Sequence, residues 1–209
     1  MKGFIDPALD RTDGLEILYA YHDSFVLQGK RLLALWEDIC KHGIDEDRAA
    51  QSIELVDYYT GATRLHHLDE ERCLFPRIIN KSFRIDGMVE RLALDHAEIE
   101  ARWAEFVDYL RASEGTPRSS KIGPSPGLKQ FPGQALDPLR VADPARCLAL
   151  AHQFEQQLRA HIERENLDFF PELEKLLSLE QRMEIGGQMA HWRIQIGLIT
   201  YAEHKIAID

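Results

Sequence analysis

The sequence predicts an all-α protein. Apolar residues recur at helical spacing in five segments, no stretch alternates with the period-2 pattern of a strand, and capping residues bracket the helical runs. The first helix is expected from about Gly14 to Lys41, with Asp13 as N-cap, Leu15, Leu18, Tyr19, Phe25, Leu32 and Leu35 facing inward, and Gly43 beyond its end. The second begins near Asp45 and runs to about Ser82. Pro76 should kink or end it, because proline cannot donate the backbone hydrogen bond. The third spans about Asp86 to Ala112. A connection rich in proline and glycine follows, from about 114 to 142, long enough to be either a packed crossover or a lid. The fourth helix opens on Asp143 and Pro144, an N-cap followed by proline in the first helical position, and reaches about Leu177 with an interruption at Pro171. A fifth, about 178 to 206, starts at the capping-box pair Ser178 and Gln181. Its apolar residues, Met183 to Tyr201, could pack on the bundle or form a homodimer interface.

Composition narrows the function. A chain of 209 residues needs no more than one core, so a single domain over 1–209 is expected, with the bundle itself at about 10–177. The net charge of -10 disfavours nucleic acid and anionic membranes as partners. Apolar runs are too short to span a bilayer and the segment MKGFIDPALD lacks the apolar core of a signal peptide, which together read as cytoplasmic. Cys40, Cys73 and Cys147 are odd in number and widely spaced, and are expected to be reduced, packed thiols.

The most informative feature is an internal echo. HHLDEERCLFP at 66–76 and HIERENLDFFP at 161–171 share the pattern H-x-x-x-E-x-x-x-x-F-P. Histidine and glutamate four residues apart lie on one helical face, where both can grip one ion or adjacent ions. Imidazole plus carboxylate suits iron or manganese, whereas a structural zinc site usually enlists cysteines. His67 and Glu71 form a competing pair rotated by about 100° around the helix, and alignment with the second copy favours His66 and Glu70.

Two donors do not make a site, so other helices must contribute at the same depth. His22 lies about 19 residues before the end of the first helix and His66 about 20 after the start of the second, which antiparallel packing would set level. His96 lies about 17 residues before the end of the third helix, and His161 about 17 after the start of the fourth, a second match. His22, His66, Glu70, His96, His161 and Glu165 are therefore the expected metal ligands. Cys73 reads as a packed thiol, and Glu100 as a weaker candidate for an extra ligand. Tyr19, Tyr21 and Trp103 read as core or as neighbours of the ligands. His42, His152, His191 and His204 lack matching partners and are expected at the surface or in ordinary packing.

His22, the two motifs and the LDH ending at His96 make the chain resemble the hemerythrin-like, or HHE cation-binding, family over roughly residues 10–177. The resemblance implies an up-down antiparallel four-helix bundle holding two non-haem iron ions, bridged by carboxylates and an oxo or hydroxo group. Such a centre reacts with dioxygen, nitric oxide, peroxide or iron itself; manganese or zinc are the alternative metals. The third helix departs from the oxygen carriers, offering Glu100 where they place a second histidine. Fewer imidazoles and more carboxylates would favour the ferric state, and so a sensor, iron store or oxidant-consuming site over reversible oxygen carriage. The alternatives are a di-iron oxidase or peroxidase, and a metal-independent helical interaction protein.

Overall fold

In a computed structural model the described residues, 11–112 and 143–195, are almost entirely helical. Four long helices, α1 (Gly14–His42), α2 (Glu46–Asp69), α4 (Phe83–Ala112) and α5 (Pro144–Arg164), carry the architecture. Between α2 and α4 the chain passes through a π-helical turn, π1 (Glu70–Leu74), and a short helix, α3 (Phe75–Ile78). After α5 it passes through a second such turn, π2 (Glu165–Phe169), into α6 (Phe170–Leu176) and α7 (Leu179–Gln195). The connection expected at 114–142, and the part of the fifth helix beyond Gln195, lie outside the described residues, as does His204. No helix among the described residues is long and apolar enough to cross a membrane.

The helix starts follow from the sequence. Asp13, Asp45 and Asp143 each accept a hydrogen bond from a backbone N–H of the first turn, at 2.9, 2.9 and 3.1 Å. Ser178 and Gln181 close a reciprocal capping box at the head of α7: the Gln181 amide oxygen accepts from Ser178 N–H at 2.9 Å and the Ser178 hydroxyl from Gln181 N–H at 3.2 Å. Gly43 ends α1 with φ 78°, a left-handed conformation that glycine adopts without strain.

The interruptions expected at the two prolines are present, in the form of π turns. Pro76 and Pro171 each sit just after such a turn, in which Phe75 N–H bonds the Glu70 carbonyl and Phe170 N–H bonds the Glu165 carbonyl, five residues back. A proline in a regular helix has no N–H to give and pushes against the carbonyl four residues before it. Widening the turn to an i to i−5 pattern moves that carbonyl away and keeps the helix going. The sequence echo is thus also a backbone echo.

Helix α1 packs against α2 and α5, and α4 packs against the same two, so α2 and α5 each stand between α1 and α4. The core below the functional residues is aromatic: Phe25, Trp36, Tyr59, Trp103, Phe106 and Phe154 are buried, and the Tyr59 hydroxyl donates to the Phe25 carbonyl at 3.0 Å. Helix α7 lies on α1 and π1. It is held by a fully buried ion pair between Arg193 and Asp69 and by Arg72, whose guanidinium sits 4.2 Å over the Trp192 ring. Gly186 is where α7 crosses the start of α1, with the Thr12 carbonyl so close that no Cβ fits between.

Candidate metal centre

The six residues singled out by pattern and level all converge. His22, His66, Glu70, His96, His161 and Glu165 are buried, none more than 2% exposed, and come from α1, α2, π1, α4, α5 and π2. Glu165 Oε2 lies 3.1 Å from His22 Nε2, 3.0 Å from His161 Nε2 and 3.9 Å from His66 Nε2. Glu70 Oε2 lies 3.0 Å from His96 Nε2 and 4.0 Å from His66 Nε2. Each carboxylate therefore stands between two groups of imidazoles, one containing His22 and His66 and the other His96 and His161.

Most of these atoms are near one another without being aligned for hydrogen bonding. Both oxygens of Glu70 and of Glu165, and Nε2 of His96 and His161, are buried and have no hydrogen-bond partner despite the short separations. Buried polar atoms are normally paired, and an orphaned one costs free energy. A cluster of them aimed at common points is what a metal-ligand set requires. His66, Glu70, His161 and Glu165 can present one ligand atom each within 4.8 Å of one another, as can His67, His96 and His161.

His67 is the residue that pattern reasoning set aside. His66 and His67 were alternatives for one register, yet both are fully buried in the centre. The reason is the position of α2 between α1 and α4. Successive residues on a helix are about 100° apart, close to the angle between the two neighbours of a corner helix. His66 meets His22 on α1, Nε2 to Nε2 at 3.1 Å. His67 meets His96 on α4, the rings stacked 3.9 Å apart and 7° from parallel. A histidine doublet near the end of a corner helix was the signal available. Glu71, by contrast, is 42% exposed and acts from outside the cluster.

Outer groups hold the imidazoles. His22 Nδ1–H donates to the Asn166 amide oxygen at 2.7 Å, and His96 Nδ1–H to Glu71 at 2.8 Å. Asn166 and Glu71 each follow the motif glutamate by one residue. His67 Nδ1–H donates to Glu100 at 3.2 Å, which places Glu100 behind an imidazole instead of among the buried donors. His161 Nδ1 lies 3.6 Å from Asp95, itself paired with Arg164. The motif phenylalanines cap the same rings: Phe170 stacks on His22 and Phe75 on His96, at 5.3 and 5.9 Å. Tyr21 stacks on His66 at 5.7 Å, while Tyr19 meets His22 edge-on at 6.5 Å and Trp103 is core. His42, His152 and His191 are exposed.

Burial sets the charge states. It drives His66 down to about 3 and His67 well below the usual imidazole range. Burial also opposes charge on His96 and His161, but Glu70 and Glu71 outweigh it for the first and Glu165 and Asp95 for the second, raising them to about 9 and about 10. Glu70 rises to about 8, through burial and the nearby charge of Glu165. Glu165 stays far below the carboxylate range because His161, His22 and His66 surround it despite burial. Burial also lifts the Cys73 and Cys147 thiols, to about 11 and about 12, and both are packed as expected, whereas Cys40 is exposed.

The sequence model of the hemerythrin HHE cation binding domain matches residues 13–173. The chain belongs to this family. The matched range starts at the N-cap of α1 and ends inside α6, so it contains every residue of the centre and leaves α7 outside the HHE domain match. An uncharacterized protein of Haemophilus influenzae is 26% identical over 92 residues, which are 44% of this chain and 54% of that protein. The similarity thus spans about half the length of that relative. No solved structure gives a significant match. An HHE domain binds metal cations, and five buried imidazoles with two buried carboxylates fit that role: a divalent or trivalent cation would satisfy the orphaned atoms together.

Proposed function

We propose that this chain is a non-haem di-iron protein whose centre binds, senses or reacts with a small oxidant such as dioxygen, nitric oxide or peroxide. The observation that carries the reading is the placement of Glu70 and Glu165, each within 4 Å of imidazoles from both groups. A carboxylate between two sets of nitrogen donors is the arrangement of a bridging ligand. In this reading His22, His66, His96 and His161 would hold the ions, with Glu70 and Glu165 as carboxylates available to both. The donor set of imidazole and carboxylate, with no thiolate, favours iron over a structural zinc. It equally supports an up-down antiparallel bundle as the scaffold, since His22 near the start of α1 meets His66 near the end of α2.

When bound, the iron pair would supply one-electron chemistry and open positions for a small ligand. The protein's part is positional. Outer acceptors fix the ring orientation of His22, His67 and His96 so that Nε2 faces inward. Phe75, Phe170 and Tyr21 cover the rings and exclude bulk water. Metal uptake must displace the protons that His96, His161 and Glu70 hold at neutral pH, so binding releases protons. An interaction protein with incidental histidines would have no reason to carry the cost, several kcal/mol per buried ion, of this many unaligned buried charges.

The test is iron analysis with an optical spectrum on protein purified aerobically with added iron, before and after exposure to peroxide and nitric oxide. Bound iron, a near-ultraviolet band and a spectral response are expected. Absence of iron, or a His66→Ala/His161→Ala variant with unchanged iron content, would refute the proposal.

A further inference from the structure

Along the seam between α2 and α4, outside the metal centre, lies a cleft of about 230 Å³. Its walls are mainly apolar. Tyr59, Trp103 and Val107 belong to the buried core and line it, while the small, exposed Ala104 leaves its mouth open. Trp103 Nε1–H donates to the Thr60 hydroxyl across the seam at 3.0 Å. Tyr59, Phe106 and Phe154 surround the same indole, with ring centroids 5.1, 5.1 and 4.7 Å away. An indole held on so many sides stays as a flat wall and does not swing in to fill the gap. Helical bundles place ligand sites between helices in this way, apolar surfaces with a few convergent polar groups.

The polar groups decide what fits. Arg64, Arg111, Glu100 and Asp108 also line the cleft, two basic and two acidic groups whose charges cancel, so it has no net charge with which to attract an ion. Glu100 accepts from His67 Nδ1–H at 3.2 Å through one oxygen and from Arg64 at 3.3 Å through the other. A carboxylate offers about four lone-pair sites, so Glu100 can accept again. Thr63, 3% exposed, lines the cleft as well, and its hydroxyl has no hydrogen-bond partner.

We propose that this cleft binds a small, uncharged aromatic alcohol of the phenol class, its ring against Trp103 and its hydroxyl donating to Glu100. The size agrees: an apolar cavity of about 150 Å³ holds benzene, so this one takes a single substituted ring. The ring matches the aromatic wall, and offset or edge-on contact with an indole adds to its burial. The hydroxyl matches the spare acceptor, and a neutral ligand avoids burying a further carboxylate beside Glu100 and Asp108. Because Glu100 also holds His67, an occupant touches the outer support of the metal centre, although the cleft itself forms without any metal.

The test is a proton–nitrogen NMR titration of the full-length protein with 4-methylphenol, read at the three indole N–H signals. The Trp103 signal is identified by its through-space contact with Thr60. It should move saturably, with a dissociation constant below about 1 mM, while the signals of Trp36 and Trp192 stay in place. Toluene, the same shape without the hydroxyl, should bind at least about 10-fold more weakly, and so should 4-methylbenzoate. Glu100→Gln should weaken 4-methylphenol by at least about 3-fold and leave toluene unchanged, since only the alcohol uses the charged acceptor. Ala104→Phe, at an exposed position where the new ring occupies the mouth, should abolish binding of both. A Trp103 signal that does not move in the wild-type protein, equal affinity for toluene, or tighter binding of 4-methylbenzoate would each overturn the proposal. The comparison of the three probes needs no variant to fold.

Discussion

His67 and His96 stack ring on ring, 3.9 Å apart and nearly parallel, although they come from different helices and each reaches outward to a different carboxylate. Two stacked imidazoles this close cannot both carry charge cheaply. His67 is held neutral by burial and by the charge on His96, while His96 keeps its proton to about 9 through Glu70 and Glu71. The centre without metal is thus a buried mosaic of fixed charges, and its stability must depend on pH.

The metal-free protein should lose stability as pH rises from neutral. His96 and His161 keep protons to about 9 and about 10 when folded, and Glu70 to about 8, all above their ordinary values. In the unfolded chain Glu70 releases its proton around pH 4.5 and the two histidines around pH 6.5, so above neutral the folded state binds more protons and stability falls with pH. His66 and His67 are shifted the other way and act only below about pH 6.5. Thermal melts of the metal-free protein should give a lower midpoint at about pH 9.5 than at about pH 7. A higher midpoint would contradict these charge states.

Glu165 reaches more imidazoles than any other acidic group of the centre. Glu165→Gln keeps its volume and removes its charge, and should lower iron affinity by more than about 100-fold, beyond the usual effect of losing an outer partner. Glu163→Gln, exposed at the end of the adjoining α5, should leave iron titrations unchanged.

Much of this centre was legible before any coordinates. The duplicated H-x-x-x-E motif and the level of His22 and His96 depend only on helical rise and period, and helix geometry transmits them faithfully. What escaped was angular. His66 and His67 read as rivals when one face of the helix is matched to one partner, whereas α2 packs against both α1 and α4. The π turns escaped as well, since Pro76 and Pro171 signal trouble for a helix without saying whether the backbone will break or widen. Asp95, Asn166 and Glu71 could be identified as supports only once two helices were docked.

Arg193 and Asp69 tie α7 to the base of π1 through a buried ion pair. Arg193→Met removes the charge and nearly keeps the volume, leaving Asp69 buried opposite an apolar chain. The expected loss is more than about 1 kcal/mol in chemical denaturation, because a buried charge loses a close cationic partner. A loss below about 1 kcal/mol, the range of exposed pairs, would mean that the pair is solvated in solution.

Gly186 and Gly187 offer a paired control on the seating of α7. A methyl at Gly186 would run into the Thr12 backbone, so Gly186→Ala should displace the helix and cost at least about 1–3 kcal/mol. Gly187 has open space and a helical conformation, so Gly187→Ala should stabilise by about 0.5–1 kcal/mol. Equal effects from the two substitutions in thermal melts would argue against the close approach.

The most direct examination of the whole account is an anomalous-difference map, recorded at the iron edge, from crystals of the iron-loaded protein. Two adjacent peaks should appear, one bounded by His22 and His66 and the other by His96 and His161, with Glu70 and Glu165 between them. A single peak, or iron bound only at exposed carboxylates, would contradict it.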